Sequence, residues 1–335
     1  MLFVGSSHGP EGRLAEEAGI GFRAVPSSPL GRTLSLSNVV SLARLAAGAP
    51  RARRILREFR PTAVLGTGGY TTAAVLVAAK SLGCRIVIHE QNAVPGRTNR
   101  RIARIADRVC VSFESSARYF QARKVVVTGM PVRREFACLP PKAGARRALG
   151  LEENAFTILV LGGSQGARTL NDTVLSAWPL IDDGAAQVLH QTGPRNLADA
   201  LAHPGLSAVG EQAGSRYRVE GYVDTPAAMA AADLVISRAG ASTLAEITAA
   251  GLPSVLFPYP HAYAMHQHHN ARHLADQGAA VLCDDETTSP QALAALVVDL
   301  RDSPERLQAM ASAARSLGRP DAADAVARVV ISLAS

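Results

Sequence analysis

The chain reads as an α/β protein made of two Rossmann-like lobes, each with a parallel sheet, and a cleft between them. Three observations predict this. Short β-rich runs alternate with Ala-rich helical stretches from end to end. Several of these runs break at glycine and pass straight into a helix. A length of 335 residues, at ~100–200 residues per domain, supplies two cores. The runs are apolar throughout rather than alternating, which is the mark of strands covered on both faces.

In chain order, Met1-Leu2-Phe3-Val4-Gly5 is too short for a signal-peptide core and reads as a strand. A doubly wound lobe ordinarily opens with a strand, a tight Gly-rich turn and a helix. Here only Gly5-Ser6-Ser7-His8-Gly9 follows the opening strand. The chain therefore starts on what reads as a second strand, and one βα unit of roughly 30 residues is expected upstream. Within Leu34–Pro61, Leu42, Leu45, Ile55, Leu56 and Phe59 lie beside Arg44, Arg51, Arg53, Arg54, Arg57 and Arg60. Such a basic amphipathic helix suits an anionic bilayer or an ordinary solvated face.

Thr62–Gly66, Arg85–His89, Val109–Phe113 and Lys124–Thr128 read as buried strands, with a helix over Thr71–Leu82. Cys138-Leu139-Pro140-Pro141-Lys142-Ala143-Gly144 interrupts the periodicity. Strands resume at Phe156–Leu161, Gln187–His190, Leu234–Ser237 and Ser254–Phe257, with helices over Ala241–Ala250 and Ala264–Gln277. The expected division is a first lobe over 1–140, a linker over 141–152, a second lobe over 153–318 and a C-terminal helix over 319–335. That last helix, about Asp321–Leu333, can pack on either lobe.

Composition narrows the function classes. Hydrophobic residues make up 47% of the chain, enough to exclude disorder, and aromatics only 4%, too few for extended stacking platforms. The net charge of +7 and pI of about 9.6 admit nucleic acid, an anionic membrane face or phosphorylated substrates. Nucleic-acid binding rests on charge alone and is not expected. Cys84, Cys110, Cys138 and Cys283 are scattered without a C-x-x-C pair, as in a reducing compartment. No apolar run reaches the ~18–20 residues of a membrane span, so a cytoplasmic protein with peripheral membrane contact is expected.

The sharpest motif is Leu161-Gly162-Gly163-Ser164-Gln165-Gly166-Ala167, directly after a strand and opening a helix. Glycines admit close backbone approach, and a helix N-terminus offers free N–H groups, a geometry that binds a diphosphate. The bland alternative is a tight βα turn. A dinucleotide site wants an acid ending the next strand, and that strand ends His190-Gln191-Thr192-Gly193, so NAD is disfavoured. Ser237-Arg238-Ala239-Gly240-Ala241-Ser242-Thr243-Leu244-Ala245-Glu246 is a second strand-to-helix break. There Glu246 either accepts bonds from both ribose hydroxyls or simply favours the helix dipole.

His266-Gln267-His268-His269-Asn270 enters another helix after Phe257-Pro258-Tyr259-Pro260-His261. Histidines 266, 269 and 273 share a face, yet few acids and no Cys pair accompany them, and a polar helix start reading sugar hydroxyls fits better than a metal. In the first lobe, Gly66-Thr67-Gly68-Gly69-Tyr70 and His89-Glu90-Gln91-Asn92 follow strands at the edge where open α/β sheets bind ligands. His89 and Glu90 are the candidate acid–base groups. Arg133, after Gly129-Met130-Pro131-Val132, is placed to balance a diphosphate.

Taken together, Gly66–Tyr70, His89–Asn92, Gly162–Ala167, Arg238–Ala241 with Glu246, and His266-Gln267 with Asn270 resemble the MurG family. These are the UDP-N-acetylglucosamine–N-acetylmuramyl-(pentapeptide) pyrophosphoryl-undecaprenol N-acetylglucosaminyltransferases of peptidoglycan synthesis. The match runs in order over nearly the whole chain. The resemblance implies a GT-B fold, an inverting mechanism and no cofactor or metal. It implies an acceptor- and membrane-side first lobe and a UDP-sugar-binding second lobe. The substrates are then UDP-N-acetylglucosamine and undecaprenyl-linked lipid I, met at the cytoplasmic face of the inner membrane.

By the same resemblance, Gly162, Gly163, Ser164, Gln165 and Gly166 hold the diphosphate with Arg133, and Val223 borders the uracil through its backbone. Ala241, Ser242, Thr243, Leu244, Ala245 and Glu246 form the ribose segment, Gln267 with His266 reads the N-acetylglucosamine, and Asn92 contacts the nucleotide-sugar. The family's N-terminal Gly-rich loop has no counterpart here, and His8 follows a different strand. The rival readings are another GT-B glycolipid glycosyltransferase, or a protein that binds the nucleotide-sugar with little catalysis.

Overall fold

A computed structural model describes residues 1–6, 9–26, 36–162, 167–207 and 216–334, with side chains except those of 36–47 and Tyr70. Ser7, His8 and the Gly163–Gly166 segment therefore lie outside the described residues, as do the side chains of Leu42, Arg44 and Leu45. The chain forms two compact units, Met1–Gly129 with Ala323–Ser335, and Met130–Ala322.

In the first unit every described strand pair is parallel. β1 (Leu2–Ser6) and β2 (Gly21–Val25), joined through α1 (Glu11–Glu17), form a two-stranded sheet. After α2 (Leu36–Phe59) come β3 (Ala63–Gly66), α3 (Tyr70–Ser81), β4 (Arg85–Glu90), α4 (Arg97–Ile102), β5 (Arg108–Val111) and β6 (Val125–Val127). Their sheet has the order β3-β4-β5-β6. Among the described residues the two sheets are not hydrogen-bonded to one another. They still share a core, because Leu2 and Val4 of β1 and Val64 of β3 pack with Ile55 and Leu56 of α2 and Val75 of α3.

The alternation of a strand puts Phe3 and Leu65 on the other face, where they are 42% and 40% exposed. Burial of α2 through Ile55 and Leu56 explains how a helix so rich in arginine still belongs to a core: the charges ride on the opposite side. The turn into α3 runs through Gly68 and Gly69 at φ 97° and 87°, a region in which only glycine sits without strain. The C-terminal helix Ala322–Ala334 lays Val326, Val329, Val330 and Leu333 on Val87 and Cys110. That resolves the choice the sequence left open in favour of the first unit.

The second unit begins with α5 (Lys142–Ala148), β7 (Phe156–Leu161), α6 (Arg168–Ile181), β8 (Ala186–Gln191), α7 (Leu197–Leu201), α8 (Pro204–Ser207) and β9 (Tyr217–Glu220). It continues with α9 (Thr225–Ala231), β10 (Leu234–Ser237), α10 (Ala241–Ala250), β11 (Ser254–Leu256) and α11 (His266–Asp276). β12 (Ala280–Leu282), α12 (Pro290–Arg301) and α13 (Pro304–Leu317) complete it. The sheet is all parallel with the order β12-β11-β10-β7-β8-β9. Numbered within the unit this is 6-5-4-1-2-3, a doubly wound sheet whose strand order reverses between β7 and β10.

Ile158, Leu159 and Val160 are at most 1% exposed, as a central strand covered on both faces requires. Trp178 of α6 and Leu293, Val297 and Leu300 of α12 close the main core. The stretch after Pro140-Pro141 is pinned to the same unit. Buried Arg146 donates to the Ala231 carbonyl at 2.9 Å, and both Arg146 and Lys142 pair with Asp233. Asp233 in turn accepts from the Thr157 N–H of β7 at 2.7 Å.

Candidate functional site

In the first unit the carboxyl end of β4 carries the predicted acid–base pair. His89 is 2% exposed, and its Nε2 lies 2.9 Å from the Gly129 carbonyl, so Nε2 carries a proton and donates it. Burial holds the imidazole below its ordinary pKa, against the opposing pull of that carbonyl and of Glu90. Glu90 is 1% exposed. Its carboxylate accepts from Asn92 N at 3.0 Å, Asn99 Nδ2 at 2.8 Å and Gly96 N at 3.2 Å. Both side chains thus face inward: Glu90 fixes the 91–96 turn and also accepts the Asn92 side-chain amide at 3.3 Å, while His89 ties the end of β4 to Gly129. Gln91 reaches across to the Thr67 carbonyl at 2.5 Å and ties this turn to the Gly66–Tyr70 one.

Asn99 was not anticipated. It sits on α4, is 5% exposed, and donates to both Glu90 and the His89 carbonyl. A lone amide on the inward face of a short helix was its only signal.

In the second unit the site gathers where strand order reverses. Gly162 follows β7 and donates its N–H to the Gln191 carbonyl at 3.1 Å. A Cβ there would meet Ala167 N and Asn171 Oδ1 at 3.1 Å, so a side chain would press on both. α6 opens after Ala167 at its N-cap, and the first N–H groups of a helix have no partner within it.

Behind the turn lies a sealed polar chain. Asn171 Nδ2 donates to the Thr192 carbonyl at 3.1 Å, which leaves Oδ1 to accept from His190 Nε2 at 3.1 Å. Nδ1 of His190 is then the acceptor, and the Tyr217 hydroxyl donates to it at 2.7 Å. Complete burial pushes His190 down to about 3 and Tyr217 well up, so both are neutral.

Across the reversal, α10 begins after Gly240. Leu244 faces the core at 1% exposure, while Ser242 is exposed and Thr243 and Glu246 are half-buried. Arg133, at the start of this unit, has its Nη1 3.4 Å from Asp224 Oδ1 and its Nε 4.0 Å from Glu246 Oε1. The residue expected to balance a diphosphate and the one expected to read a ribose are thus neighbours. Desolvation pushes the Glu246 pKa up and Arg133 draws it back. Val223 precedes Asp224 and gives its N–H to Gln191 Oε1 at 3.1 Å.

Gln267 enters α11 with its Oε1 accepting from Ala239 N at 3.1 Å and Tyr259 N at 3.0 Å. It fastens the β10 and β11 loops together and turns its Nε2 donor the other way. His266 packs its ring against Tyr263 at 5.2 Å between centroids. Ala264 and Met265, just ahead of them, hold φ of 49° and 52°, strained values for residues with a side chain. Buried Arg238 pairs with Asp285 and donates to the Phe257 carbonyl at 3.2 Å, so it braces these loops from below. Among the described residues no three His, Cys, Asp or Glu side chains converge into a set able to hold a metal ion.

Residues 2–111 match the glycosyltransferase family 28 N-terminal domain, and residues 157–326 match its C-terminal domain. Two relatives carry the name UDP-N-acetylglucosamine--N-acetylmuramyl-(pentapeptide) pyrophosphoryl-undecaprenol N-acetylglucosamine transferase. The one from Desulforudis audaxviator (strain MP104C) is 40% identical over 100% of this chain and 90% of its own length. The one from Desulfitobacterium hafniense (strain DSM 10664 / DCB-2) is 41% identical over 100% of this chain and 91% of its own.

Among solved structures, MurG of Acinetobacter baumannii superposes with a TM-score of 0.76 at 29% identity, covering 98% of this chain and 90% of that one. The glycotransferase of kitacinnamycin, at 18% identity and a TM-score of 0.67, shares the fold. The architecture is the GT-B fold, and the chain belongs to the MurG family of N-acetylglucosamine transferases, built from glycosyltransferase family 28 domains.

Proposed function

We propose that the chain transfers N-acetylglucosamine from UDP-N-acetylglucosamine to the C4 hydroxyl of the muramyl sugar of lipid I, giving lipid II for peptidoglycan synthesis. One observation carries this reading. Gly162, Glu246 and Gln267 follow β7, β10 and β11 around the strand-order reversal of a doubly wound sheet, with Val223 tied to the neighbouring β8 through Gln191, in a chain 40% identical to a relative named for the reaction.

The acceptor oxygen attacks the anomeric carbon from the face opposite UDP. The bond from that carbon to the diphosphate oxygen breaks, configuration inverts, and the hydroxyl proton passes to a base. Negative charge grows on the departing diphosphate, where the α6 N-terminus, the Gly162–Gly166 turn with Ser164 and Gln165, and Arg133 receive it. Arg133 reaches that charge by leaving Asp224 and Glu246, and Glu246 is thereby freed to accept from the ribose hydroxyls beside Ala241–Ala245. Gln267, its oxygen already committed to two backbone amides, offers Nε2 to a sugar oxygen, with His266 beside it. Of the two acid–base candidates, Glu90 holds the turn after β4 and His89 is tied to the Gly129 carbonyl.

The enzyme works at an anionic membrane surface, to which the end of α2 presents Arg53, Arg54 and Arg57, with Arg60 just beyond it, around an open surface depression. Among the described residues no helix is long and apolar enough to cross a membrane. The test is a calorimetric titration with UDP-N-acetylglucosamine against UDP-glucose, followed by UDP release on adding lipid I. Selective binding and release of one UDP per lipid II are expected. A folded protein that binds neither nucleotide-sugar, or binds without releasing UDP, refutes the reading.

A further inference from the structure

The turn after β12 has so far had no part in the reaction. We infer that Asp285 is a positioning residue for sugar recognition, acting through Arg238 to fix the Gln267 amide; this rests on the donor-site reading above. The sheet sets the segment that carries it. The Cys283 N–H donates to the Leu256 carbonyl at 2.9 Å and so continues the pairing of β11 with β12. The Asp284 carboxylate then accepts from the Glu286 and Thr287 N–H groups, each at 2.9 Å, which closes a tight turn around Asp285.

Asp285 pairs with Arg238, and the two side chains are only 7% and 10% exposed. A guanidinium out of water holds its place where its hydrogens are matched by acceptors. Nη1 of Arg238 has two hydrogens, and it faces two acceptors, Asp285 Oδ1 and the Phe257 carbonyl at 3.2 Å. The same guanidinium lies 5.8 Å from the centre of the Tyr259 ring. Arg238 follows β10, Phe257 follows β11 and Asp285 follows β12, so one ion pair ties together the carboxyl ends of three strands.

That tie bears directly on Gln267. Its Oε1 accepts from the N–H of Ala239, next to Arg238, at 3.1 Å, and from the N–H of Tyr259, two residues past Phe257, at 3.0 Å. Backbone N–H groups can only donate, so the amide turns its oxygen toward them and its Nε2 away. The two N–H groups meet on one oxygen only while the ends of β10 and β11 stay together. Held by a single bond, the amide is free to rotate. Asp285 thus aims a donor at the sugar without touching it.

The test titrates the full chain and three variants, Asp285→Ala, Gln267→Ala and the two combined, with UDP-N-acetylglucosamine and with UDP, and follows thermal unfolding of each. The ratio of the two affinities isolates the sugar, because losses shared with the nucleotide cancel. Q267A should lower that ratio about tenfold, one hydrogen bond's worth. D285A should show most of the same loss, and the double variant should lose no more than Q267A alone. In turnover, D285A should raise KM for UDP-N-acetylglucosamine and leave kcat unchanged. If D285A does not fold, Arg238→Met together with Asp285→Leu removes both charges, strands neither, and takes its place with the same expected loss. A wild-type ratio in the folded D285A protein, or in the folded replacement of the pair, overturns the inference. So does a D285A loss that adds in full to that of Q267A. A Q267A protein with the wild-type ratio overturns the sugar role of Gln267, and folded wild-type protein that binds neither ligand overturns the donor-site reading itself; the inference falls with either.

Discussion

Glu90 and Glu246 are both glutamates at the ligand-facing edge of a parallel sheet, and the two units use them in opposite ways. Glu90 is sealed at 1% exposure and accepts from three different N–H groups within 3.2 Å. Glu246 keeps 19% of its side chain exposed and faces one guanidinium at 4.0 Å. A carboxylate offers about four lone-pair sites. Glu90 has spent its sites on the chain itself, whereas Glu246 retains capacity for a ligand. Sequence position alone ranks the two as equals; the number of committed acceptor sites separates architecture from recognition.

The comparison breaks first at Glu90. Glu90→Ala strands several buried N–H groups and should cost about 3 kcal/mol of stability, read as a lower urea midpoint at unchanged slope. Transfer activity should fall with it. A stable, active E90A protein would mean that the inward contacts do not support the turn.

Next in size is Glu246→Ala. It should weaken UDP-N-acetylglucosamine binding roughly tenfold to a hundredfold, while stability moves by less than about 1 kcal/mol. Paired titration and denaturation measure both quantities. Equal destabilisation of E246A and E90A would erase the contrast.

A smaller effect is expected with pH. Desolvation raises the folded pKa of Glu246 above 4.5, so its ionisation is easier in the unfolded chain. The sign follows from the protons bound. The contribution to stability is fully present below 4.5 and is lost as pH rises through the raised folded value. Nucleotide-sugar affinity runs the other way across that window, because ribose hydroxyls donate to the ionised carboxylate. Glu246→Gln should flatten both dependences, and unchanged profiles would remove the ribose role. The smallest effect is reserved for Asp224→Asn. Asp224 is 65% exposed and screened, so releasing Arg133 from it should change affinity by less than about threefold, seen by titration at low and high salt.

Much of the fold was legible because parallel strands buried on both faces leave unbroken apolar runs. Phe156–Leu161 and Leu234–Ser237 fall where that pattern places them, and the Ala241–Ala250 helix ends at Gly251 in the left-handed region. β2, β9 and β12 were missed. They are short, and Tyr217–Glu220 carries two charged residues, so no periodicity marks it. The Gly162 turn and Glu246 were readable as local strand-to-helix breaks. Gln191, Asn99 and Asp285 were not, because their roles depend on partners 32, 9 and 47 positions away that only the sheet brings close. On α11, His266 packs against Tyr263, a ring partner that the sequence did not mark.

One feature of the first unit bears on how the molecule breathes. Among the described residues β1 and β3 each have a strand neighbour on one side only, although both press side chains into the same cluster. Backbone amides along such edges trade their hydrogens with solvent without waiting for the unit to unfold, while those shared between β4 and β5 must wait for a larger opening. Deuterium uptake in the first unit should accordingly be graded strand by strand, quickest along Leu2–Ser6 and slowest along Arg108–Val111, where β5 is held on both sides.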